Sequence, residues 1–345
     1  MAKSRQKTVY VAMSGGVDSS VAAALLKKRG FHVIGVFMKP WQSPGVRCLW
    51  QKDREDALRV ATVLDIPLLT WDFSKEYGTR VTRYMIDGYR RGITPNPDIM
   101  CNKEIKFGLF FKKAMDAGAD FVATGHYARI KNSILYTAKD TNKDQTYFLW
   151  TLAKKQFSQT LFPIGDYTKP QVRILAKNFG LPVYNKKDSQ GVCFVGALDM
   201  KSFLKRHIKS RSGPIIHVRG TVLGRHDGVA YYTIGQRHGM NITVGGGPYY
   251  VVGKNMRTST LFVGEEKDLF SSTAKITGMH WNTPAQFPIV VDVKIRYRTQ
   301  AQRAVLAKNG VLRFKKPQRA ITPGQSAVFY RGKKILGGGI IVGRD

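Results

Sequence analysis

The sequence has few cysteines, few acidic residues and no long apolar run. Its three cysteines among 345 residues form no C-x-x-C pair, so the sequence predicts neither a disulfide framework nor a structural zinc site. No segment approaches the roughly 20 apolar residues of a membrane-spanning helix, and the N-terminus lacks a secretory signal pattern. We therefore expect a cytoplasmic protein with reduced thiols.

The shortage of acidic residues leaves a large positive charge. The chain has 56 Lys and Arg against 23 Asp and Glu, a formal net charge of +33. Such an excess repels itself within a folded chain and favours a polyanionic partner, above all nucleic acid. A generally basic proteome or a role of the charge in solubility is the other explanation. Because 43% of the residues are hydrophobic and 11% aromatic, we expect compact folding, in two or three domains.

The pattern of the first 200 residues alternates between strand and helix. Apolar β-rich runs at 8–13, 32–38, 66–73 and 119–125 are separated by helical patterns near 18–29, 51–65, 74–91 and 103–117. This alternation predicts an α/β fold with a parallel sheet. The composition then changes: residues 201–226 contain seven Lys and Arg and no acidic residue, and short strands with Gly and Pro follow beyond about 270. These later strands predict a small β-barrel or sandwich. The expected domains are 1–200, 201–270 and 271–345.

A glycine- and serine-rich stretch, SGGVDSS, lies between the first predicted strand and the first predicted helix. Backbone N–H groups in such a turn and at a helix N-terminus point outward, which favours phosphate binding. The stretch has no lysine and only two adjacent glycines, so it matches neither the Walker A pattern nor the dinucleotide fingerprint. A capped tight turn is the purely structural alternative.

Two cysteines lie in predicted loops, Cys101 in TPNPDIMCNKEIKFG and Cys193 in KKDSQGVCFVG. Prolines on both sides of Asn96 hold the chain extended and present Asp98 and Cys101 ahead of a basic helix. A thiol near a positive helix end and Lys103 would have a lowered pKa and act as a nucleophile. For either cysteine the alternative is a small buried hydrophobic residue.

Eight short segments carry a resemblance to one enzyme family. They are, in chain order, SGGVDSS, NPDIMCNKEIKFG, TGHYARI, NKDQTYFL, LFPIGDYTKPQVR, KDSQGVCFVG, YTIGQRHG and TPGQSAVFY followed by LGGGII. Together they resemble the tRNA-specific 2-thiouridylases, ATP pyrophosphatases that replace the 2-oxygen of the wobble uridine with sulfur. The matches reach residue 341, so the resemblance covers nearly the whole chain. The neighbourhood of Cys48 has no clear match.

The resemblance implies three domains and an ATP site. These domains are an N-terminal parallel-sheet ATP-pyrophosphatase domain, a small central tRNA-binding domain and a C-terminal β-barrel. In the first domain the SGGVDSS loop would cradle the pyrophosphate of ATP, and Asp18 would help hold Mg²⁺. The implied nucleotide-binding residues are Ala12, Met13, Ser14, Gly15, Gly16, Val17, Asp18, Ser19, Met38 and Gly125.

The resemblance also implies how sulfur reaches the base. ATP would adenylate O2 of the wobble uridine, and sulfur would then replace the oxygen, giving 2-thiouridine, AMP and pyrophosphate. Cys193 would carry the sulfur as a persulfide, Cys101 would release it through a transient disulfide, and Asp98 would manage the proton. Activation makes chemical sense because an amide-like oxygen leaves poorly, whereas an AMP ester leaves readily.

The implied partners are tRNA and a sulfur donor. The family acts on tRNAs for Lys, Glu and Gln, and its donor is a relay protein or a cysteine desulfurase. Residues 275–345 carry 14 Lys and Arg against 2 Asp and Glu, a net charge of +12, interleaved with Phe and Tyr, which suits phosphate contacts and base stacking. The implied tRNA contacts are Asn96, Pro97, Asp98, His126, Lys143, Asp144, Gln145, Arg296, Tyr297 and Gln325.

Two other functions share part of this pattern. An ATP pyrophosphatase acting on a small molecule would have the SGGVDSS loop but would need neither a pair of thiols nor a basic β-domain. A tRNA-binding protein without activity could keep a relic of the loop, and it would have no need for both Cys101 and Cys193.

Overall fold

The computed structural model describes residues 5–42, 50–187, 200–240 and 242–344. The chain divides into two compact units. The first contains Met1–Val81, Asp98–Gly196 and Lys333–Ile335, and the second contains Thr82–Pro97, Ala197–Gly332 and Leu336–Asp345. Cys48 and Cys193 lie outside the described residues.

The elements up to residue 187 are a mixture of strands and helices. In chain order they are β1 (Thr8–Ala12), α1 (Val17–Lys28), β2 (His32–Lys39), α2 (Trp50–Val63), β3 (Leu68–Asp72), α3 (Ser74–Tyr77), a π-helix (Gly78–Thr82), α4 (Arg83–Arg90), α5 (Pro97–Met100), a second π-helix (Cys101–Phe110), α6 (Phe111–Asp116), β4 (Phe121–Thr124), β5 (Ala128–Lys131), β6 (Ile134–Thr137), α7 (Lys154–Ser158), β7 (Thr160–Leu161) and α8 (Lys169–Asn178).

The first unit is built on a five-stranded parallel sheet with the order β3-β2-β1-β4-β7. Its central strands are almost fully buried, as expected for a parallel sheet covered on both faces. The buried face of α1 packs on the sheet and includes Val21, Leu25 and Leu26. The predicted α/β fold with a parallel sheet is confirmed.

Two predicted helices differ from the helices observed. The segment predicted as one helix at 74–91 is α3, a π-helical turn and α4, and the helix predicted at 103–117 begins as the π-helix Cys101–Phe110. Glycines stand where these turns are tight. A Cβ on Gly78 would lie 2.8 Å from the Trp41 ring, and one on Gly108 would lie 2.8 Å from the carbonyl oxygen of Lys103.

The second unit contains two β-structures. Its elements beyond residue 200 are α9 (Met200–His207), β8 (Gly213–His217), β9 (Val222–His226), β10 (Tyr250–Asn255), β11 (Thr260–Gly264), β12 (Phe270–Trp281), β13 (Ile289–Lys294), β14 (Gln302–Leu306), β15 (Val311–Arg319), β16 (Ser326–Arg331) and β17 (Lys334–Gly343). One sheet has the order β10-β11-β8-β9. The strands β12-β15-β14-β13-β16-β17 form a barrel that the pairing of β12 with β17 closes.

The barrel confirms the predicted C-terminal β-barrel, and its interior holds alternate residues of each strand, such as Val291 and Val293 of β13. In the described part of the chain, no helix is both long and apolar enough to cross a membrane.

Candidate active site

The predicted nucleotide loop lies where the strand order of the parallel sheet reverses. It follows β1, which pairs with β2 on one side and β4 on the other, and open α/β sheets bind ligands at the carboxyl ends of strands at such a point. Gly15 has a φ of 72° and Gly16 is the N-cap of α1. Among the described residues no side chain caps this helix, an arrangement of the first-turn N–H groups that favours binding of an anion.

The loop is held by its own serines and by the end of β4. The hydroxyl groups of Ser14 and Ser19 lie 3.3 Å apart, and Ser19 Oγ also donates to the carbonyl oxygen of Gly16 at 3.2 Å. A Cβ on Gly125 would lie 2.6 Å from the backbone nitrogen of Ser19. Gly125 is therefore needed for close contact between the end of β4 and the first turn of α1.

The other predicted nucleotide contacts surround this loop. Ala12, Met13, Val17 and Ser19 are buried, and the backbone nitrogen of Met13 donates to the carbonyl oxygen of Val36 at 2.8 Å. Their contact with a nucleotide stays a prediction. Met38 is partly exposed at the carboxyl end of β2.

The carboxylate of Asp18 is already paired with a buried lysine. Lys169 Nζ donates to Asp18 Oδ1 and Oδ2 at 2.8 and 2.9 Å, and the Tyr127 hydroxyl donates to Oδ1 at 2.9 Å. Gln145 Oε1 accepts from the backbone nitrogen of Tyr127 at 2.9 Å, which fixes the tyrosine. Within the described residues no three His, Cys, Asp or Glu side chains could hold a metal ion. Because Mg²⁺ in nucleotide sites is commonly held by one or two carboxylates together with phosphates, the role of Asp18 toward Mg²⁺ stays a prediction.

A second lysine, Lys186, contacts the loop backbone. Its Nζ donates to the carbonyl oxygen of Gly15 at 3.0 Å and to the carboxylates of Asp53 and Asp56 at 2.7 Å each. Burial alone lowers the pKa of Lys186, but the hydrogen bonds and charges of the two aspartates outweigh burial, so the pKa is raised. Lys186 is a stable cation beside the loop.

Asp98 and Cys101 lie three positions apart on consecutive helical elements, so the prediction that a loop presents them is wrong. Asp98 is exposed in α5, and Cys101 is half-buried at the first residue of the second π-helix. Although Asp98 as a whole residue is exposed, protein atoms around its carboxyl group desolvate that group and raise its pKa, an effect that the positive charge of Lys106 partly opposes. Lys103, the cation expected beside the thiol, lies 3.6 Å from the Glu104 carboxylate. π-Helical turns occur frequently at functional sites.

His126 lies under the protein surface. Its Nδ1 is 2.6 Å from the Thr124 hydroxyl, and its ring packs against Phe107 and Phe162 with centroid distances of 5.9 Å. Burial, together with the charge of Lys106, holds the pKa of His126 well below its usual range. The imidazole is therefore neutral at pH 7, and in this conformation it supports the end of β4. Its contact with RNA stays a prediction.

The predicted tRNA contacts in the first unit include structural residues. Asp144 is buried, and its Oδ1 accepts hydrogen bonds from the Ala138 backbone and the Thr146 hydroxyl at 2.9 and 3.0 Å. Gln145 holds Tyr127, as described above, and Lys143 is partly exposed. Of the three, Lys143 has the side chain best suited to a phosphate.

The predicted tRNA contacts in the second unit include two side chains that hydrogen-bond to backbone carbonyl groups of that unit. Arg296 donates to the carbonyl oxygen of Ile234 at 2.9 Å, and Gln325 Nε2 donates to that of Thr94 at 2.8 Å. Asn96, Pro97 and Tyr297 are partly exposed, and the guanidinium group of Arg298 lies over the Tyr297 ring at 5.6 Å. The contact of these residues with tRNA stays a prediction.

Sequence reasoning missed five residues of the loop's surroundings. Tyr127, Lys169 and Lys186 lie inside the motifs quoted above. Those motifs indicated the family but assigned no role to these three residues. Asp53 and Asp56 lie in the pattern of α2, where acidic residues are ordinary. These five residues are tied to the loop by the hydrogen bonds of Asp18 and Lys186.

Family models match the chain in three consecutive parts. The tRNA methyl transferase HUP domain matches residues 7–197, the tRNA methyl transferase PRC-barrel domain matches 201–265, and the aminomethyltransferase beta-barrel domain matches 271–341.

Curated relatives match over nearly the full length. tRNA-specific 2-thiouridylase MnmA 2 of Geobacillus kaustophilus is 46% identical over 96% of this chain and 94% of its own, and tRNA-specific 2-thiouridylase MnmA of Enterococcus faecalis is 44% identical over 99% and 96%. Among solved structures, U34-tRNA thiolase NcsA from Methanococcus maripaludis covers 55% of this chain and 62% of its own, at 18% identity and a TM-score of 0.38, too low to bear on function. The near-complete matches to curated relatives show that the chain belongs to the tRNA-specific 2-thiouridylase family.

Proposed function

We propose that the protein is a tRNA-uridine 2-sulfurtransferase that uses ATP to replace the 2-oxygen of the wobble uridine, U34, with sulfur. The observation that carries this proposal is the glycine loop at the switch point of a parallel sheet, in a chain similar over 96% of its length to tRNA-specific 2-thiouridylases. The thiol at Cys101 and the charge of +33 fit sulfur transfer to a polyanion.

The first step is adenylation. Uridine O2 attacks the α-phosphorus of ATP, and pyrophosphate leaves. The N–H groups of Gly15 and Gly16 and the first turn of α1 would bind the pyrophosphate, because a helix N-terminus stabilises the charge that develops on the leaving group. Asp18 would exchange part of its pairing with Lys169 for contacts to the nucleotide, and Mg²⁺ would arrive as the counterion of ATP.

The second step is sulfur transfer. The terminal sulfur of a Cys193 persulfide attacks C2 of the activated base, and AMP leaves with the original oxygen. The thiolate of Cys101 then attacks Cys193 Sγ, which breaks the sulfur–sulfur bond, leaves the sulfur on C2 and forms a disulfide that an external thiol must reduce. Asp98 is suited to accept the proton that the persulfide loses in this step, because desolvation raises the pKa of its carboxyl group.

The substrates are tRNAs for Lys, Glu and Gln, and the sulfur comes from a relay protein or a cysteine desulfurase. Asn96, Pro97, Asp98, His126, Lys143, Asp144, Gln145, Arg296, Tyr297 and Gln325 are the proposed tRNA contacts. Lys143 and Tyr297 have side chains best suited to direct contact, whereas Asp144, Arg296 and Gln325 would act through the backbone that they hold.

Mass spectrometry of nucleosides tests the function directly. Unmodified tRNA is incubated with the protein, ATP and a sulfide source, and we expect 2-thiouridine at position 34 together with one AMP and one pyrophosphate per event. Asp18→Ala should abolish pyrophosphate release. Formation of ADP and inorganic phosphate in the tRNA-stimulated reaction would contradict the assignment of the loop.

A further inference from the structure

The peptide that joins Gly15 to Gly16 is held by Lys186. Lys186 Nζ donates to the Gly15 carbonyl oxygen at 3.0 Å and to Asp53 and Asp56 at 2.7 Å each. A lysine ammonium group has three donors, and here all three have protein acceptors. Lys186 therefore serves the protein itself, and it would have to give up one of these bonds to reach a phosphate.

The geometry of a peptide bond turns this contact into an effect on the anion site. In a trans peptide the C=O and the N–H point in opposite directions within one plane. Because Lys186 fixes the direction of the Gly15 carbonyl group, it also fixes the direction of the Gly16 N–H. That N–H is one of the donors proposed to bind the pyrophosphate of ATP.

This peptide needs an external restraint because both of its residues are glycines. Glycine adopts positive and negative φ with similar ease, so a peptide between two glycines can rotate at little steric cost. Gly15 has a φ of 72°, and a Cβ there would lie 2.1 Å from the Asp53 carbonyl oxygen. The loop thus contacts the backbone of Asp53 on one side. Lys186 fixes the orientation of the peptide between Gly15 and Gly16.

We propose that Lys186 is a positioning residue for the nucleotide loop, which aims the Gly16 N–H at the phosphates of ATP. The inference deepens the proposed function and rests on it. Asp53 and Asp56 anchor the ammonium group, which without them would be free to follow an incoming phosphate. Lys186 need not touch the nucleotide at any stage.

Calorimetric titration of Lys186→Met with pyrophosphate, ATP and AMP tests the proposal. We expect the Kd for pyrophosphate and ATP to rise at least about tenfold, the loss of one well-directed bond to a charged group, and the Kd for AMP to stay within about twofold. Lys187→Met is the matched control, since it removes the same charge from an exposed neighbour, and it should bind all three ligands like the unaltered protein.

A second variant separates orientation from charge. Removing Lys186 leaves two carboxylates beside the loop, which would repel phosphate whatever the direction of the peptide. Asp53→Asn and Asp56→Asn, combined with Lys186→Met, remove that repulsion, and we expect pyrophosphate binding to stay weak.

Three results would overturn the inference: unchanged pyrophosphate binding in Lys186→Met, an equal loss for AMP and pyrophosphate, or full recovery in the triple variant. If the unaltered protein binds neither ATP nor pyrophosphate, the proposed function fails and this inference fails with it.

Discussion

The two cysteines that carry the proposed chemistry have different proposed roles. Cys101 is half-buried and follows the exposed Asp98 by three positions, and Cys193 lies outside the described residues. We expect Cys193→Ser to lose both persulfide labelling and thiolation, because it removes the sulfur carrier. Cys101→Ser should still accept labelled sulfur at Cys193 but fail to deliver it, as measured by mass spectrometry of the protein and of tRNA nucleosides. Normal 2-thiouridine formation by the double variant with a protein donor would refute these roles.

The pH dependence of thiolation should report on Asp98. Only its ionised carboxylate accepts a proton, so the rate should fall as the pH drops through a pKa that desolvation has raised above that of an ordinary aspartate. Lys106 lowers that pKa, so Lys106→Met should move the acidic limb of the profile to higher pH. Lys112→Met is the control because Lys112 is an exposed lysine on α6. An unmoved limb in Lys106→Met, or full activity in Asp98→Asn, would exclude Asp98 as the base.

At the scale of elements, the site depends on the contact between the end of β4 and the start of α1. Gly125→Ala would place a methyl group 2.6 Å from Ser19 N, and the strand and helix would have to separate. We expect at least a tenfold rise in the Kd for ATP and a loss of stability of about 1–3 kcal/mol, measured by calorimetry and chemical denaturation. Gly245→Ala adds the same methyl in open space and should change neither. ATP binding unaffected by Gly125→Ala would show that this contact does not shape the site.

The sequence predicts an element well when that element has a strong local pattern. The strands β1 to β4 are apolar runs and were predicted within two residues at each end. β7 has only two residues, too few for a pattern. The β5–β6 hairpin turns at Asn132 and Ser133, which both have positive φ; the sequence lacks the Asn-Gly pair that usually marks such a turn.

Hydrogen bonds between residues far apart in the chain could not be predicted either, because no local pattern indicates them. The motif containing Asp18 predicted a phosphate site, but its bond to Lys169 joins residues 151 positions apart. Likewise, nothing local indicates that Lys186 reaches Gly15, 171 positions away. Such contacts depend on how distant parts of the chain pack together around the parallel sheet, whereas the loop itself is a local structure.

At the scale of the whole molecule, the excess of positive charge should govern tRNA affinity. Each phosphate that the protein neutralises contributes about −0.7 to −0.9 to the slope of log affinity against log salt concentration. With six such contacts, affinity would fall roughly a thousandfold between 50 and 200 mM salt. The affinity for ATP should depend far less on salt concentration, because the proposed site binds ATP through backbone donors in the loop.

Paired charge variants can locate the tRNA-binding surface. Lys315 and Lys316 are exposed on β15 of the barrel, within the segment of net charge +12, whereas Lys28 and Arg29 are exposed at the end of α1. We expect Lys315→Gln with Lys316→Gln to reduce the salt slope by up to about 1.4–1.8, the contribution of two phosphates. Lys28→Gln with Arg29→Gln should leave the slope unchanged, since α1 directs its opposite end toward the nucleotide loop. Fluorescence anisotropy with labelled tRNA measures both slopes. Equal reductions would mean that net charge alone attracts tRNA, and a reduction confined to the α1 pair would move the binding surface away from the barrel.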